Sequence, residues 1–390
     1  MRIIGLISGT SADGIDAAIA DIEGQGYDLN VTVIAGHTMP YPPVLRQQLL
    51  DLCAGAPIAL ADLADLDDAI ARCFAQAACT LMDDHGRVGL IASHGQTAFH
   101  RPAAPSTATA SPTLGFSLQL GRGDLIAALT QCLTVSNFRQ ADIAAGGEGA
   151  PLVPPVDLAL LSHPYRWRCV QNIGGIGNVA LIPPWNAATD PTPPSVLGWD
   201  TGPGNSLMDL AVEIFSDGQQ TYDEDGRWAA QGTPIADLVE QWLQHPYFEQ
   251  TPPKSTGREL FGKTFLQACL EDAKEHHLTP ADTLATLTEF TAMTIAQSYR
   301  QFLPRLPDEV LLCGGGSQNP YLVRRLRLHL PGISIQTTAD AGVPVDLKEA
   351  VAFAVLGYWR HHHFPGNLPS VTGANRPVLL GELHSPSMPI

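Results

Sequence analysis

Apolar positions along this chain come in short β-prone runs broken by glycine turns, and in longer stretches where they recur three and four residues apart. Ile3, Ile4, Leu6 and Ile7 form the first run, which stops at Ser8-Gly9-Thr10-Ser11-Ala12-Asp13-Gly14 before another run from Ile15 to Ile22. That order predicts strand, glycine turn, strand. Helical spacing follows over Pro43 to Leu52 and over the Ala/Leu/Asp-rich stretch Ile58 to Met82. Gly89 to Ser93 is a further short run, and it ends in His94-Gly95-Gln96-Thr97, at the kind of strand end where α/β proteins build their sites. The first pattern then recurs: Arg168 to Ile173, a turn at Gly174-Gly175-Ile176-Gly177-Asn178, and Val179 to Ile182. A strand-turn-strand unit returning about 170 residues later predicts two related domains, not a short-period solenoid. Thr233-Pro234 and Thr279-Pro280 each place a capping residue before a proline, so helices are expected over about 234–244, 259–275 and 280–303. Glu309 to Cys313 reads as a buried strand feeding Gly314-Gly315-Gly316-Ser317, and Leu347 to Arg360 as a last helix. Residues 101–114 and 183–195 lack periodicity and read as irregular surface segments.

Composition narrows the function classes. The 390 residues are 45% apolar and 16% charged, and 22 basic against 39 acidic side chains give a formal charge of −17. A surface this acidic repels a polyphosphate backbone, so nucleic acid is not an expected partner. Seven cysteines, an odd number without a Cys-x-x-Cys pair, argue against a disulfide scaffold and a thiolate zinc site. The N-terminal apolar run is too short for a signal sequence, and no segment approaches the ~20 apolar residues of a membrane span. A cytoplasmic protein without a membrane partner is expected.

Two strings mislead. Gly257-Arg258-Glu259-Leu260-Phe261-Gly262-Lys263-Thr264 matches the P-loop pattern, but that loop needs a hydrophobic strand feeding it, and here Pro252 and Pro253 precede it. The run His361-His362-His363 cannot converge on one ion as residues four apart do, and reads as a solvated helix end. No glycine cluster completes G-x-G-x-x-G either, and the two early ones lead into β-branched runs instead of helices. What remains is three glycine turns able to offer backbone N–H groups to phosphates, although any one alone could be an ordinary hairpin. Within Gly198-Trp199-Asp200-Thr201-Gly202-Pro203-Gly204-Asn205, the aspartate among small residues has room for substrate or water, as a general base needs. An Asx-turn that only shapes a loop fits the same residues. The Arg139 to Pro151 stretch, dense in polar groups and glycines, could equally be a hinge.

Taken together, Gly5 to Asp16, Ser93 to Thr97, Asp142 to Pro154, Asn172 to Asn178, Asp200 to Asn205, Pro253 to Glu259 and Cys313 to Gly316 resemble, in order, the motifs of the anhydro-N-acetylmuramic acid kinase family. The likeness spans nearly the whole chain. It implies an α/β, two-domain sugar kinase/actin-like fold with duplicated mixed sheets flanked by helices and ATP in the interdomain cleft, and Mg²⁺ with the ATP. The implied domains are 1–146 with the tail from about 375–390, and 147–374. By the same resemblance Gly9, Thr10, Ser11, Ala12, Asp13, Gly14, Ile15 and Asp16, with Gly174, Gly175, Gly177 and Asn178, would hold phosphates. Gly314, Gly315, Gly316 and Ser317 would lie by the nucleoside, and His94, Gln96, Thr97 and Arg139 by the sugar. Asp200 matches the family's catalytic base, and Glu349 sits at a position similar to its sugar site and is taken as a second catalytic carboxylate. The metal ligands are not assigned, and a homodimer stays open. The implied substrate is a small anhydro-sugar, whose ring would be opened by water as O6 is phosphorylated. A kinase for another sugar or a carboxylate, or an actin- or chaperone-like ATPase, are the alternatives. The polar cluster at His94 to Thr97 with Arg139 speaks against the ATPase.

Overall fold

The computed structural model describes residues 1–9, 12–101, 103, 114–190 and 192–386. Thr10, Ser11 and most of the 101–114 segment therefore lie outside the described residues. The chain forms two compact units, one of residues 1–161, 187–193 and 347–390, the other of 162–186 and 194–346.

In the first unit, β1 (Arg2–Ser8), β2 (Gly14–Gln25), β3 (Asp28–Pro40), β4 (Leu90–Arg101), β5 (Phe116–Leu120), β6 (Thr134–Ser136) and β12 (Glu382–His384) form one mixed sheet in the order β12-β6-β4-β1-β2-β3, with β5 on β4. β1 runs parallel to β4 and antiparallel to β2. Both sheet faces are covered, which is why the run Ile3 to Ile7 has no polar alternate. Ile3 and Ile7 pack toward α5 (Pro154–Leu161) and α11 (Lys348–His361). Ile4 and Leu6 pack toward α1 (Pro43–Cys53), α2 (Leu60–His85) and α3 (Gly123–Thr130). Gly5 allows α11 to lie directly on β1, since a Cβ there would run into the Ala350 carbonyl. Short helices α4 (Gln140–Ala144) and α12 (Pro369–Thr372) complete the unit.

The second unit has β7 (Arg168–Ile173), β8 (Ile176–Ile182), β9 (Leu197–Pro203), β10 (Glu309–Cys313) and β11 (Ser334–Thr337) in the order β11-β10-β7-β8-β9. β7 pairs antiparallel with β8 and parallel with β10, as β1 does with β2 and β4. The duplication expected from the glycine turns is thus a repeated strand order. Against this sheet pack α6 (Ser206–Phe215), α7 (Ala236–Trp242), α8 (Lys263–Glu275), α9 (Pro280–Phe302) and α10 (Pro320–His329).

The unit boundaries differ from the expected division at 146/147 and near 374/375: residues 147–161 and 347–374 lie with the first sheet, because α5 and α11 share its apolar face. Thr279 caps α9 with Asp282 in a reciprocal box, as expected. Thr233-Pro234 does not open a helix. The flanking N–H groups are tied instead to α9, Thr233 N–H to Asp282 Oδ1 and Ile235 N–H to Thr286 Oγ1, and α7 starts only at Ala236. The helix expected from 259 begins at Lys263, because Leu260 and Phe261 turn back onto the Gly257 carbonyl and Phe261 is fully buried.

Candidate active site

In the first unit the β1–β2 turn is braced from two sides. Gln96 Nε2 donates to the Gly9 carbonyl at 3.1 Å, and Arg46 donates to the Ala12 carbonyl (3.0 Å) and to Asp13 Oδ1 (2.8 Å). Ser8 Oγ closes the turn onto the Gly14 carbonyl, and Thr38 Oγ1 donates to Asp16 Oδ1 at 2.6 Å. Gln96, expected at the sugar, is therefore also a strut of the turn.

His94 is buried, its ring tilted against that of Phe353 with centres 4.6 Å apart. Arg139 Nε donates to its Nε2 at 3.0 Å, while Arg139 Nη1 donates to the Gly149 carbonyl at 2.8 Å. Burial first, and Arg139 second, hold the imidazole well below its ordinary range. Burial also lowers Arg139 to about 10, with Glu349 opposing. Behind this pair stands Asp142, fully buried at the start of α4. Its Oδ2 accepts from Gly149 N–H at 2.8 Å, and its Oδ1 accepts from Asn367 Nδ2 and Thr372 Oγ1, each at 2.7 Å. The loop carrying Gly149 is thereby fixed, and with it one edge of the Arg139 guanidinium. Thr97 Oγ1 accepts from Gln119. Glu349 opens to solvent yet is surrounded by protein; desolvation raises its carboxyl, Lys348 opposes, and Asp16 adds to the rise. Lys348 itself is buried in an ion pair with Asp157 at 2.7 Å.

In the second unit Asp200 lies in β9, the edge strand, directly opposite Asn178 of β8. Desolvation lifts its carboxyl to about 6, Thr256 N–H lowers it by donating to Oδ2 at 2.9 Å, and Glu259 raises it. The Gly174-Gly175 turn approaches the start of α6: Gly204 and Ser206 N–H donate to the Gly175 carbonyl and Asn205 N–H to the Gly174 carbonyl. A Cβ on Gly204 would collide with that same Gly174 carbonyl. The turn's own amides, on Gly174 and Gly175, donate to no group among the described residues. Outward-facing N–H groups of this kind are what an anion needs. Arg258, exposed, lies beside Gly175 and faces Asp209, whose carboxyl burial raises to about 7.

Asn205 joins this turn to the third. Its Nδ2 donates to the Ile173 carbonyl at 3.2 Å, and its side chain lies where side chains on Gly315 and Gly316 would point. Gly314 takes φ +75°, and its carbonyl accepts from Ser317 Oγ at 2.7 Å. Ser317 and Leu312 also border a recess of about 400 Å³ with Gln318, Ile335, Thr337 and Asp340. The expected residues thus fall into two sets. Gly9, Ala12 to Asp16, His94, Gln96, Thr97, Arg139 and Glu349 belong to the first unit, and Gly174 to Asn178, Asp200 and Gly314 to Ser317 to the second. Asp142, Tyr247, Lys254, Thr256 and Arg258 were not among the expected site residues, although several stand inside quoted motifs. Lys263 heads α8 with a 3₁₀ turn at Pro246–Glu249, not a strand, as the element before it. His361 ends α11, with His362 against Tyr358. Among the described residues no three His, Cys, Asp or Glu side chains gather as a metal site, and no helix is long and apolar enough to cross a membrane.

Two mixed sheets with one strand order, each headed by a glycine turn and flanked by helices, define a duplicated α/β fold of two units. The sequence model of the anhydro-N-acetylmuramic acid kinase family matches residues 1–386. Relatives of that name are 58% identical in Trichormus variabilis, over 98% of this chain and 97% of theirs, and 57% identical in Cyanothece sp., over 99% and 100%. A solved structure, Acidaminococcus fermentans (R)-2-hydroxyglutaryl-CoA dehydratase component A, is matched at 11% identity and a TM-score of 0.46 over 93% of this chain and 99% of that one. The chain belongs to the anhydro-N-acetylmuramic acid kinase family, a family of kinases.

Proposed function

We propose that this kinase uses ATP to open the ring of 1,6-anhydro-N-acetylmuramic acid and phosphorylate O6, giving N-acetylmuramic acid 6-phosphate during salvage of cell-wall sugar. The observation that carries the reading is Asp200: a carboxylate in a desolvated setting, raised to about 6, with one oxygen steadied by Thr256 N–H. Such a group is ionised near neutral pH yet basic enough to take a proton. The anhydro-sugar has no free hydroxyl at C6, so a proton taken by Asp200 must come from elsewhere. Water is the source in this scheme. Its oxygen bonds to C1 as the C1–O6 bond breaks, O6 takes the γ-phosphoryl group, and ADP departs.

The free amides at Gly174 and Gly175 suit the phosphates, with Gly177 and Asn178 alongside, and the Gly9 to Asp16 turn serves the same purpose in the first unit. Gly314 to Ser317, with the adjoining recess, suit the nucleoside. Arg139, propped on His94, keeps guanidinium N–H groups for the sugar, joined by Gln96, Thr97 and Glu349. Mg²⁺ asks for one or two carboxylates plus phosphate oxygens and not an all-protein cage; Asp16, oriented by Thr38, is the proposed protein ligand. When bound, it would neutralise charge on the transferring phosphoryl group.

The test is ATP turnover measured with the anhydro-sugar, with ordinary hexoses, with acetate and with no acceptor. Turnover that needs the anhydro-sugar supports the reading. Turnover on a hexose or acetate, or without acceptor, replaces it with one of the alternatives.

A further inference from the structure

Asp200 sits on an edge strand, where a backbone N–H and C=O would ordinarily face solvent. Here both are taken by one irregular segment. Asp200 N–H donates to the Lys254 carbonyl at 3.0 Å, Tyr247 Oη donates to the Asp200 carbonyl at 2.7 Å, and Thr256 N–H donates to Oδ2 at 2.9 Å. Residues 247–256 therefore do for Asp200 what a neighbouring strand would do, and hold its carboxylate as well. The segment is not itself a strand, so something else must fix its shape.

One end is fixed by aromatic packing, Tyr247 against Phe248 and Phe261 at 5.6 and 5.4 Å. The other is fixed by Lys254. Its side chain is buried, Nζ donates to the Tyr247 carbonyl at 3.1 Å, and the ammonium stands 4.7 Å from the Tyr247 ring centre and 4.5 Å from that of Phe302. Among the described residues no carboxylate pairs with it. A buried cation without a counter-ion is costly, and two aromatic faces with a carbonyl are its compensation.

We propose that Lys254 is a positioning residue for Asp200, its ammonium pinning the 247–256 segment into the shape that orients that carboxylate. This rests on Asp200 being the base. Burial lowers Lys254 to about 8, so the pin is charged at neutral pH. The ionisable groups around it are Tyr247 from the 3₁₀ turn and Asp200 from β9, with Glu259 acting on Asp200; α9 presents the uncharged Phe302.

The experiment compares Lys254→Met, which keeps the stem and removes the charge, with Lys254→Arg, which keeps a cation for the two rings. Three quantities are read: kcat, the KM for ATP, and the titration of the Asp200 carboxyl by carbon NMR. A displaced catalytic group costs about 10²-fold. Lys254→Met is expected to lose kcat on that scale with KM for ATP unchanged, and its Asp200 carboxyl to titrate below 6 as the loosened loop admits water. Lys254→Arg should restore most of both. A Met variant with near-normal kcat and an unmoved Asp200 titration overturns the proposal. Should the Met variant not fold, Phe302→Leu removes one ring face only; a lowered kcat with a lowered titration supports the pin, and an unmoved pair overturns it. Asp200→Asn run in parallel separates the two ideas: activity in that variant removes Asp200 as the base, whereas the NMR titration still reports whether Lys254 positions it.

Discussion

Arg139 Nε donates to Nε2 of His94 at 3.0 Å, and this bond settles the protonation of the imidazole. Nδ1 lies 3.0 Å from the Gly95 carbonyl, which can only accept, so Nδ1 carries the proton and Nε2 is bare. A proton on Nε2 would face a guanidinium in a buried site, and burial with Arg139 holds the pKa far down. His94 is thus a rest for Arg139 and not a proton carrier. His94→Ala should release the guanidinium and raise KM for the sugar roughly tenfold, the scale of one hydrogen bond to a charged group. KM for ATP and the pH profile of kcat should not move. A limb of the kcat profile that vanishes with His94 would overturn this assignment.

Asp200 should set the acidic limb. Its carboxyl, raised to about 6, must be ionised to act, so kcat/KM should fall as pH drops through 6 and not near 4, where an ordinary carboxylate titrates. The sign for stability runs the other way: with the folded pKa raised, Asp200 favours the folded state fully below the unfolded pKa, and that contribution is lost as pH rises through 6. Asp200→Asn should cost ~10² to 10⁴ in rate with ATP binding retained. Asp209 has a carboxyl raised to about 7 in the same unit, which makes it the competing source of a limb. Asp209→Asn should leave the limb near 6 in place; its disappearance would transfer the limb to Asp209.

Much of this was legible because strands and turns are local. Ile3 to Ile7, the Gly174 turn and the Glu309 to Cys313 strand follow from runs of a few residues, and the repeated strand order follows from their recurrence. β3 carries only part of a strand pattern: Leu29, Val31 and Val33 alternate with polar residues, but Ile34 and Ala35 follow Val33 directly where the pairing with β2 shifts register. α6 begins directly after the glycine-rich Asp200 stretch, and Asn205 at its start makes no side-chain cap bond, its Nδ2 donating to the Ile173 carbonyl across the turn. The supports of Asp200 were illegible for a different reason. Thr256 acts through a backbone N–H, which every residue but proline has, so its identity carries no signal, and Lys254 acts through contacts with Tyr247 and Phe302 that exist only once the chain has folded.

Lys263 tests the misleading string. It is the first residue of α8, exposed, and no strand delivers the chain to it. A true P-loop lysine reaches the β- and γ-phosphates. Lys263→Ala should leave KM for ATP and kcat within about threefold of wild type, a difference under 1 kcal/mol. Loss of nucleotide binding on this change would restore the motif.

The source of the attacking oxygen decides between ring opening by water and a conventional transfer. If Asp200 takes a proton from water, turnover in ¹⁸O-water must place the label on the anomeric oxygen of the product, and none in the bridge between C6 and phosphorus. That bridging oxygen is the substrate's own, because the C1–O6 bond breaks on the carbon side. A separate hydrolysis followed by phosphorylation would also label C1, so the companion measurement is ring opening without nucleotide. It should be negligible: O6 is a poor leaving group until it bonds to the γ-phosphorus, and Asp200 can accept a proton but cannot supply that electrophile. Opening the ring and consuming ATP should then run one to one at every sugar concentration. Label in the C6–O–P bridge, or ring opening at a comparable rate in the absence of ATP, would refute the concerted scheme while leaving the kinase assignment standing.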